Sequence, residues 1–252
     1  MTSLAAWPYP RWVAHRGAGK LAPENTMAAF RLGASYGYRM FECDAKLSQD
    51  GVLFLMHDSD LQRTTNGQGI GGERSMGELA QLDAGAWHSR AFAGENLPTL
   101  EALARWCIAN HLFLNVEIKP TEGQEEATGR ATGELMNRLW PKDAVAPLFT
   151  SFKPDSLRGA RATAPEIPRG LLVHAFADGT GEAELQTALE LGCVAMVLNH
   201  GLWTAEYVQR VHAQGLRCSS YTVNDEVEAK RLLDIGTDCI ITDRVDLFSP
   251  AA

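Results

Sequence analysis

The sequence predicts a (β/α)8 TIM barrel, and three observations predict it. Eight short apolar runs recur along the 252 residues. Segments of helical spacing separate most of them, and two of those segments are followed by Gly215 and Gly236 at the C-cap position. Strand signals alternating with helix signals imply parallel pairing through crossover helices, and eight such units match the size of one barrel. A doubly wound open sheet is the alternative. It is disfavoured because no Gly-x-Gly-x-x-Gly opens a helix directly after a strand. No low-complexity linker interrupts the pattern, so residues 1–252 are expected to form one domain.

The predicted strands are Trp12–His15, Met40–Asp44, Leu112–Lys119, Val145–Ser151, Gly170–His174, Ala195–Asn199, Arg217–Val223 and Cys239–Thr242. Helical spacing covers Asn25–Tyr36, Thr99–Asn110, Glu126–Leu139, Pro154–Thr163, Glu182–Leu191, Thr204–Gln214 and Asp225–Asp234. Pro23-Glu24-Asn25-Thr26 reads as a helix start, with Asn25 or Thr26 as N-cap.

One segment breaks the alternation. A ninth apolar run, Val52–Met56, follows the second strand after only Asp50-Gly51. Parallel neighbours need a dozen or more connecting residues, so these two runs must be antiparallel. Asp50 and Gly51 read as the centre of a two-residue turn, which sets Gln49 opposite Val52 and Asp44 opposite His57. After His57 comes a long glycine-rich insertion, about residues 58–98, expected to form a small cap over the barrel mouth.

Composition sets outer limits. Hydrophobic residues make up 45% and charged residues 21%, as in an ordinary globular chain. A net charge of -8 argues against nucleic acid and anionic membranes as partners. Cys43, Cys107, Cys193, Cys218 and Cys239 contain no Cys-x-x-Cys pair, which predicts reduced, buried thiols in a cytoplasmic protein. Met1–Arg11 lacks the basic start and apolar run of a secretory leader, and no stretch approaches the ~20 apolar residues of a membrane span. A homodimer stays open.

The candidate chemistry gathers at the C-terminal strand ends, which line one mouth of such a barrel. His15 and Arg16 end the first strand, Glu42 and Asp44 the second, and Glu117 and Lys119 the third. Glu42 and Asp44 share a face, as do Glu117 and Lys119, because strand side chains alternate with period two. Three convergent carboxylates repel one another unless a cation compensates them. An all-oxygen set with no Cys or His cluster points to Mg2+ or Ca2+ rather than zinc. Taken singly, each residue has an ordinary reading: a packed histidine, a solvated Glu-x-Asp, a salt-bridged lysine. Together they fit phosphoryl transfer, with cations on the phosphate oxygens and His15 and His57 moving protons. Alternatives are a Schiff-base role for Lys119 in an aldolase-type barrel, a non-catalytic binding barrel, and a phospholipase-like barrel acting on lipid phosphodiesters.

His15-Arg16-Gly17, Pro23-Glu-Asn-Thr26, Glu42-x-Asp44, His57-Asp58, Arg63-Thr-Thr-Asn-Gly67, Glu117-Ile-Lys119 and Thr242-Asp243 form an ordered set. It resembles the glycerophosphodiester phosphodiesterase family from about Trp12 to Asp246, and in particular its bacterial cytosolic branch associated with glycerol-3-phosphate uptake. The resemblance implies hydrolysis of small-molecule glycerophosphodiesters, such as glycerophosphocholine and glycerophosphoethanolamine, to sn-glycerol 3-phosphate and an alcohol. It implies Glu42, Asp44 and Glu117 as metal ligands, His15 and His57 as the acid/base pair, and Arg16 and Lys119 as phosphate contacts. The attacking group would be water or the glycerol 2-hydroxyl, the latter giving a cyclic phosphate. Many members carry Trp-Thr-Val-Asn where this chain has Tyr221-Thr-Val-Asn224, so Tyr221 is the expected wall of the glycerol pocket.

Overall fold

Alternation along each strand separates an inner from an outer face. Val13, Met40, Leu148, Leu172, Val197 and Ile241 pack together inside a closed sheet, while their chain neighbours Trp12, Phe41, Phe149, Leu171, Met196 and Ile240 pack outward among the helices. The computed structural model describes residue 4 and residues 6–250. The absence of a leader read over Met1–Arg11 rests in part on residues 1–3 and 5, which lie outside the described residues.

The strands are β1 (Trp12–Ala14), β2 (Met40–Leu47), β3 (Leu53–Leu55), β4 (Phe113–Ile118), β5 (Leu148–Ser151), β6 (Arg169–Val173), β7 (Ala195–Asn199), β8 (Arg217–Tyr221) and β9 (Cys239–Thr242). All but β3 pair in parallel in the order β1-β9-β8-β7-β6-β5-β4-β2, and β1 pairs with β2 to close the ring. This is the expected eight-stranded barrel. The helices are α1 (Met27–Ser35), α2 (Met76–Leu79), α3 (Leu100–Ala109), α4 (Glu125–Leu139), α5 (Pro154–Thr163), α6 (Glu182–Glu190), α7 (Ala205–Ala213) and α8 (Glu226–Asp234). Thr26 caps α1, its Oγ1 accepting from Ala29 N–H.

β3 is antiparallel to β2, as the short connection requires, but the register differs from expectation by one residue. Ala45 faces Leu55 and Leu47 faces Leu53, which sets Asp44 opposite Met56 rather than His57. The turn has three residues, not two. Ser48 Oγ donates to Asp50 Oδ1 at 2.6 Å and accepts from Val52 N–H, and Gly51 takes φ +81°. That is the left-handed position a three-residue hairpin loop requires. His57 therefore lies beyond the strand, on the bend that opens the insertion.

Residues 58–98 form the expected cap. Phe54, Met56, Leu61, Leu79, Ala84 and Leu97 make a small core of their own under it. Two contacts tie the cap to the loop after β1: the ring Nε2 of His88 lies 3.0 Å from Lys20 O, and Arg63 pairs with Glu24.

Candidate active site

The site begins where β1 turns sharply. Arg16 and Gly17 both have positive φ, +51° and +100°. Residue 17 must be glycine: a Cβ there would lie 2.7 Å from the backbone of Ala29 in α1. The turn sends the Arg16 side chain back across the mouth. Its Nε lies 3.0 Å from Asp44 Oδ2 and its NH1 donates to Glu24 Oε1 at 2.9 Å. Burial alone would lower the pKa of Arg16, but Asp44, Glu24, Glu42 and Glu117 outweigh it and hold the guanidinium charged.

β2 and β4 are adjacent, with Asp44 directly beside Glu117 and Glu42 beside Asn115. Oxygens of Glu42, Asp44 and Glu117 come within 4.8 Å of one another, and all three residues are buried. Burial, then Asp44 and Glu117, push the carboxyl of Glu42 well above its usual range. Burial and Asp44 raise Glu117 as well. Asp44 goes the other way. Burial opposes its ionisation, but Arg16, Lys119, His57 and the Asn25 hydrogen bond together hold it below the usual range. Asn25, itself at φ +60°, clamps Asp44 twice: its Nδ2 donates to Asp44 Oδ2 at 2.8 Å, and its Oδ1 accepts from Asp44 N–H at 3.1 Å.

A divalent cation fits this cluster on three grounds. The donors are all carboxylate oxygens, the preference of Mg2+ and Ca2+. Glu42 Oε1 and Asp44 Oδ1 are buried and accept no hydrogen bond from the described residues. And the repulsion that raises Glu42 is the kind a cation removes.

Two imidazoles flank the cluster, and each is held by an aspartate. His15 Nδ1 lies 2.7 Å from Asp243 Oδ1, and its Nε2 lies 3.8 Å from Glu42 Oε2. The pKa of Asp243 is lowered: burial raises it, but His15, Asn224 and Arg16 more than offset that. An ionised Asp243 can only accept, so the Nδ1 of His15 carries a proton, and in the neutral ring Nε2 is the nitrogen with the lone pair. His57 Nδ1 meets Asp58 Oδ1 at 2.7 Å in the same way. The hydrogen bond from Arg63 and that from His57 bring Asp58 down to about 2. Burial, with Arg16 and Lys119, lowers the pKa of His57 against the opposing pull of Asp44.

Lys119 follows Glu117 by two residues, one past the end of β4. Its ammonium lies 2.9 Å from Glu117 Oε1, 3.7 Å from Asp44 Oδ1 and 5.6 Å from the centre of the Phe152 ring. Tyr221 packs edge-on against Phe152, and its hydroxyl donates to Val173 O on β6 at 3.0 Å. All eight residues singled out in the sequence thus surround one mouth.

Sequence reasoning left five neighbours without a role. Asn25 was read only as a candidate helix cap. Asp243, Asn224, Asp58 and Arg63 were motif letters. The signal for Asp243 was present: β9 pairs with β1, so the residue after Thr242 must stand beside His15. Glu24 joins the two basic side chains, since its Oε1 accepts from both Arg16 and Arg63.

Two aspartate-held imidazoles around cation-ready carboxylates suit hydrolysis of a phosphoric diester. The comparisons with known proteins make the class specific. The model of the glycerophosphoryl diester phosphodiesterase family matches residues 15–247. A glycerophosphodiester phosphodiesterase of Caldanaerobacter subterraneus is 32% identical over 235 residues, 92% of this chain and 93% of that protein. One from Bacillus subtilis is 31% identical over 94% of this chain and 84% of its own length. Among solved structures, an Oleispira antarctica phosphodiesterase in complex with the product sn-glycerol-3-phosphate superposes with TM-score 0.89 at 34% identity, covering 96% of each chain. The chain belongs to the glycerophosphoryl diester phosphodiesterase family and is an enzyme of that class. Among the described residues no helix is long and apolar enough to cross a membrane, and all five cysteines are free and buried.

Proposed function

We propose that the enzyme is a divalent-metal-dependent hydrolase of glycerophosphodiesters, glycerophosphocholine and glycerophosphoethanolamine among them, releasing sn-glycerol 3-phosphate and an alcohol, with His15 and His57 as its proton-transfer pair. One observation carries the reading: two histidines, each with Nδ1 committed to an ionised aspartate, flank a buried three-carboxylate cluster in which Glu42 Oε1 and Asp44 Oδ1 accept no hydrogen bond from the described residues. The likeness to the Oleispira antarctica enzyme, whose structure holds sn-glycerol-3-phosphate, supports the product.

Mg2+ or Ca2+ held by Glu42, Asp44 and Glu117 would supply the positive charge that attracts a nonbridging phosphate oxygen and stabilises charge developing on it. Arg16 and Lys119 bind the remaining phosphate oxygens, turning to them from Glu24 and Glu117. The free Nε2 of His15 accepts the proton of the attacking hydroxyl, whether of water or of the glycerol C2 position. His57, entering the cycle as the imidazolium with its Nδ1 proton held by Asp58, delivers its Nε2 proton to the departing alcohol oxygen and is left neutral. Tyr221 would wall the glycerol carbons. Free, buried cysteines support a reducing, cytoplasmic setting.

The test is release of glycerol 3-phosphate from glycerophosphocholine and glycerophosphoethanolamine, with EDTA and a panel of metals. Loss of turnover on chelation and its restoration by Mg2+ or Ca2+ are expected. His57→Ala should lose on the order of 10²–10⁴ in rate. Undiminished turnover in EDTA, or in His57→Ala, would overturn the proposal.

A further inference from the structure

Beside the carboxylate cluster lies a cavity of about 320 Å³. Its walls include Lys46, His57, Asp58, Glu117, Lys119 and Lys153. That is room for a small alcohol. His57 lines it, and an acid that protonates a departing oxygen must stand within hydrogen-bond reach of it.

The charges of this cavity are unequally committed. Asp58 is held by Arg63 and His57, and Glu117 by Lys119 and the cluster. Two ammonium groups are left over. Lys46 is only 1% exposed, and its Nζ makes a single hydrogen bond, to Lys119 O at 3.1 Å. Lys153 is exposed and has no hydrogen bond or ion pair from its side chain to any described residue. It is the N-cap residue of α5, so the positive end of that helix adds to its charge. A cationic alcohol would meet like charge at Lys153, whereas an anionic one would find an uncommitted ammonium there, with Lys46 buried behind it.

We infer that this cavity seats the departing alcohol, and that its charge selects glycerophosphodiesters whose alcohol carries a second anionic group, a phosphomonoester or a carboxylate, over those whose alcohol is cationic. The inference rests on the proposed function, with His57 on the leaving-group side. It ranks the substrates within that activity.

The experiment compares kcat/KM of the full-length enzyme on three diesters: glycerophosphocholine, glycerophosphoglycerol, and glycerophosphoglycerol bearing a terminal phosphate. The ratio of the terminally phosphorylated substrate to the choline substrate should exceed one. Lys153→Glu should lower that ratio by about tenfold or more, and Lys153→Met by an intermediate factor. Added salt should shrink the ratio in the unmodified enzyme, because Lys153 is exposed. A ratio at or below one, or a ratio that Lys153→Glu does not move, overturns the subsite while turnover of glycerophosphoglycerol leaves the hydrolase reading standing. Failure of the unmodified enzyme to turn over any of the three removes both.

Discussion

Replacing Asp243 by Asn should disable His15 without moving it, because the neighbouring residues decide which way the new amide turns. Asn224 Oδ1 accepts from Asp243 N–H at 2.9 Å and from Thr242 Oγ1 at 3.3 Å. These bonds pin Asn224 with its Nδ2 toward residue 243, where it now donates to Asp243 Oδ2 at 2.9 Å. An Asn at 243 must therefore offer its oxygen to Asn224 and its NH2 to His15. That NH2 requires Nδ1 of His15 as an acceptor, which forces the ring proton onto Nε2. The nitrogen beside Glu42 then cannot accept a proton.

The expected loss is that of a general base, 10²–10⁴ in kcat, or about 3–5 kcal/mol of transition-state stabilisation. Glycerol 3-phosphate release, followed with a coupling dehydrogenase, reads the rate. Titration calorimetry with Mg2+ or Ca2+ should give nearly the parent affinity, since Asp243 is outside the carboxylate cluster. The double variant His15→Ala/Asp243→Asn should be no slower than His15→Ala alone, because both changes act through one imidazole. Turnover of Asp243→Asn within about threefold of the parent would refute the tautomer argument, and so would additive losses in the double variant.

Asn25→Ala strips Asp44 of a donor on Oδ2 and leaves its buried N–H unpaired. Metal affinity measured by calorimetry should fall about 10–100-fold. Gly33→Ala places a Cβ 2.1 Å from Gly17 O and 2.8 Å from the Phe41 ring. Urea unfolding should show a cost of about 1–3 kcal/mol, and activity should drop with it because the strained turn carries Arg16. Arg63→Ala removes the partner that, with His57, brings Asp58 from 3.8 to about 2 and also lowers Glu24. Depressed carboxylate values stabilise the fold above the ordinary range, and that stabilisation is lost as pH falls through the folded value. The stability gap between parent and Arg63→Ala, followed by urea unfolding, should therefore be widest at neutral pH and close as pH falls from about 4 toward 2.

What was legible in the sequence was whatever depends on period and order. Strand alternation put Glu42 with Asp44, and Glu117 with Lys119, on shared faces, and the rhythm of strands and helices gave the barrel. Turn geometry was less legible. Asp50-Gly51 has the composition of a two-residue turn, yet the Ser48 side chain satisfies both Asp50 and the Val52 N–H, which widens the loop by one residue. The slip would have carried His57 to the far side of an extended β3. It does not, because the strand ends at Leu55 and the chain bends, so that His57 still reaches the charge of Asp44. The correct neighbourhood was reached by a wrong register. Residues that act on other side chains were invisible for a different reason. Asn25, Asn224 and Asp243 gain their roles from contacts 18 to 228 positions apart, which no local pattern encodes.

The two cations that reach the carboxylate cluster, Arg16 and Lys119, are both paired with carboxylates rather than held ready for a phosphate. Arg16 is spent on Glu24 and Asp44, and Lys119 on Glu117 and Asp44. A phosphodiester must draw both away. Had Arg16 and Lys119 been the cluster's sole compensation, binding a phosphate would strand three buried carboxylates, each left to repel the others in a dry setting. A divalent cation held by Glu42, Asp44 and Glu117 would remove that conflict: its charge would neutralise the carboxylates and leave the guanidinium and the ammonium to the substrate. Glu24 keeps a second partner in Arg63, so it too stays compensated when Arg16 turns. On the proposed metal site, binding of metal and of anion would be an exchange of partners, and the expected outcome is positive coupling: each should tighten when the other is present.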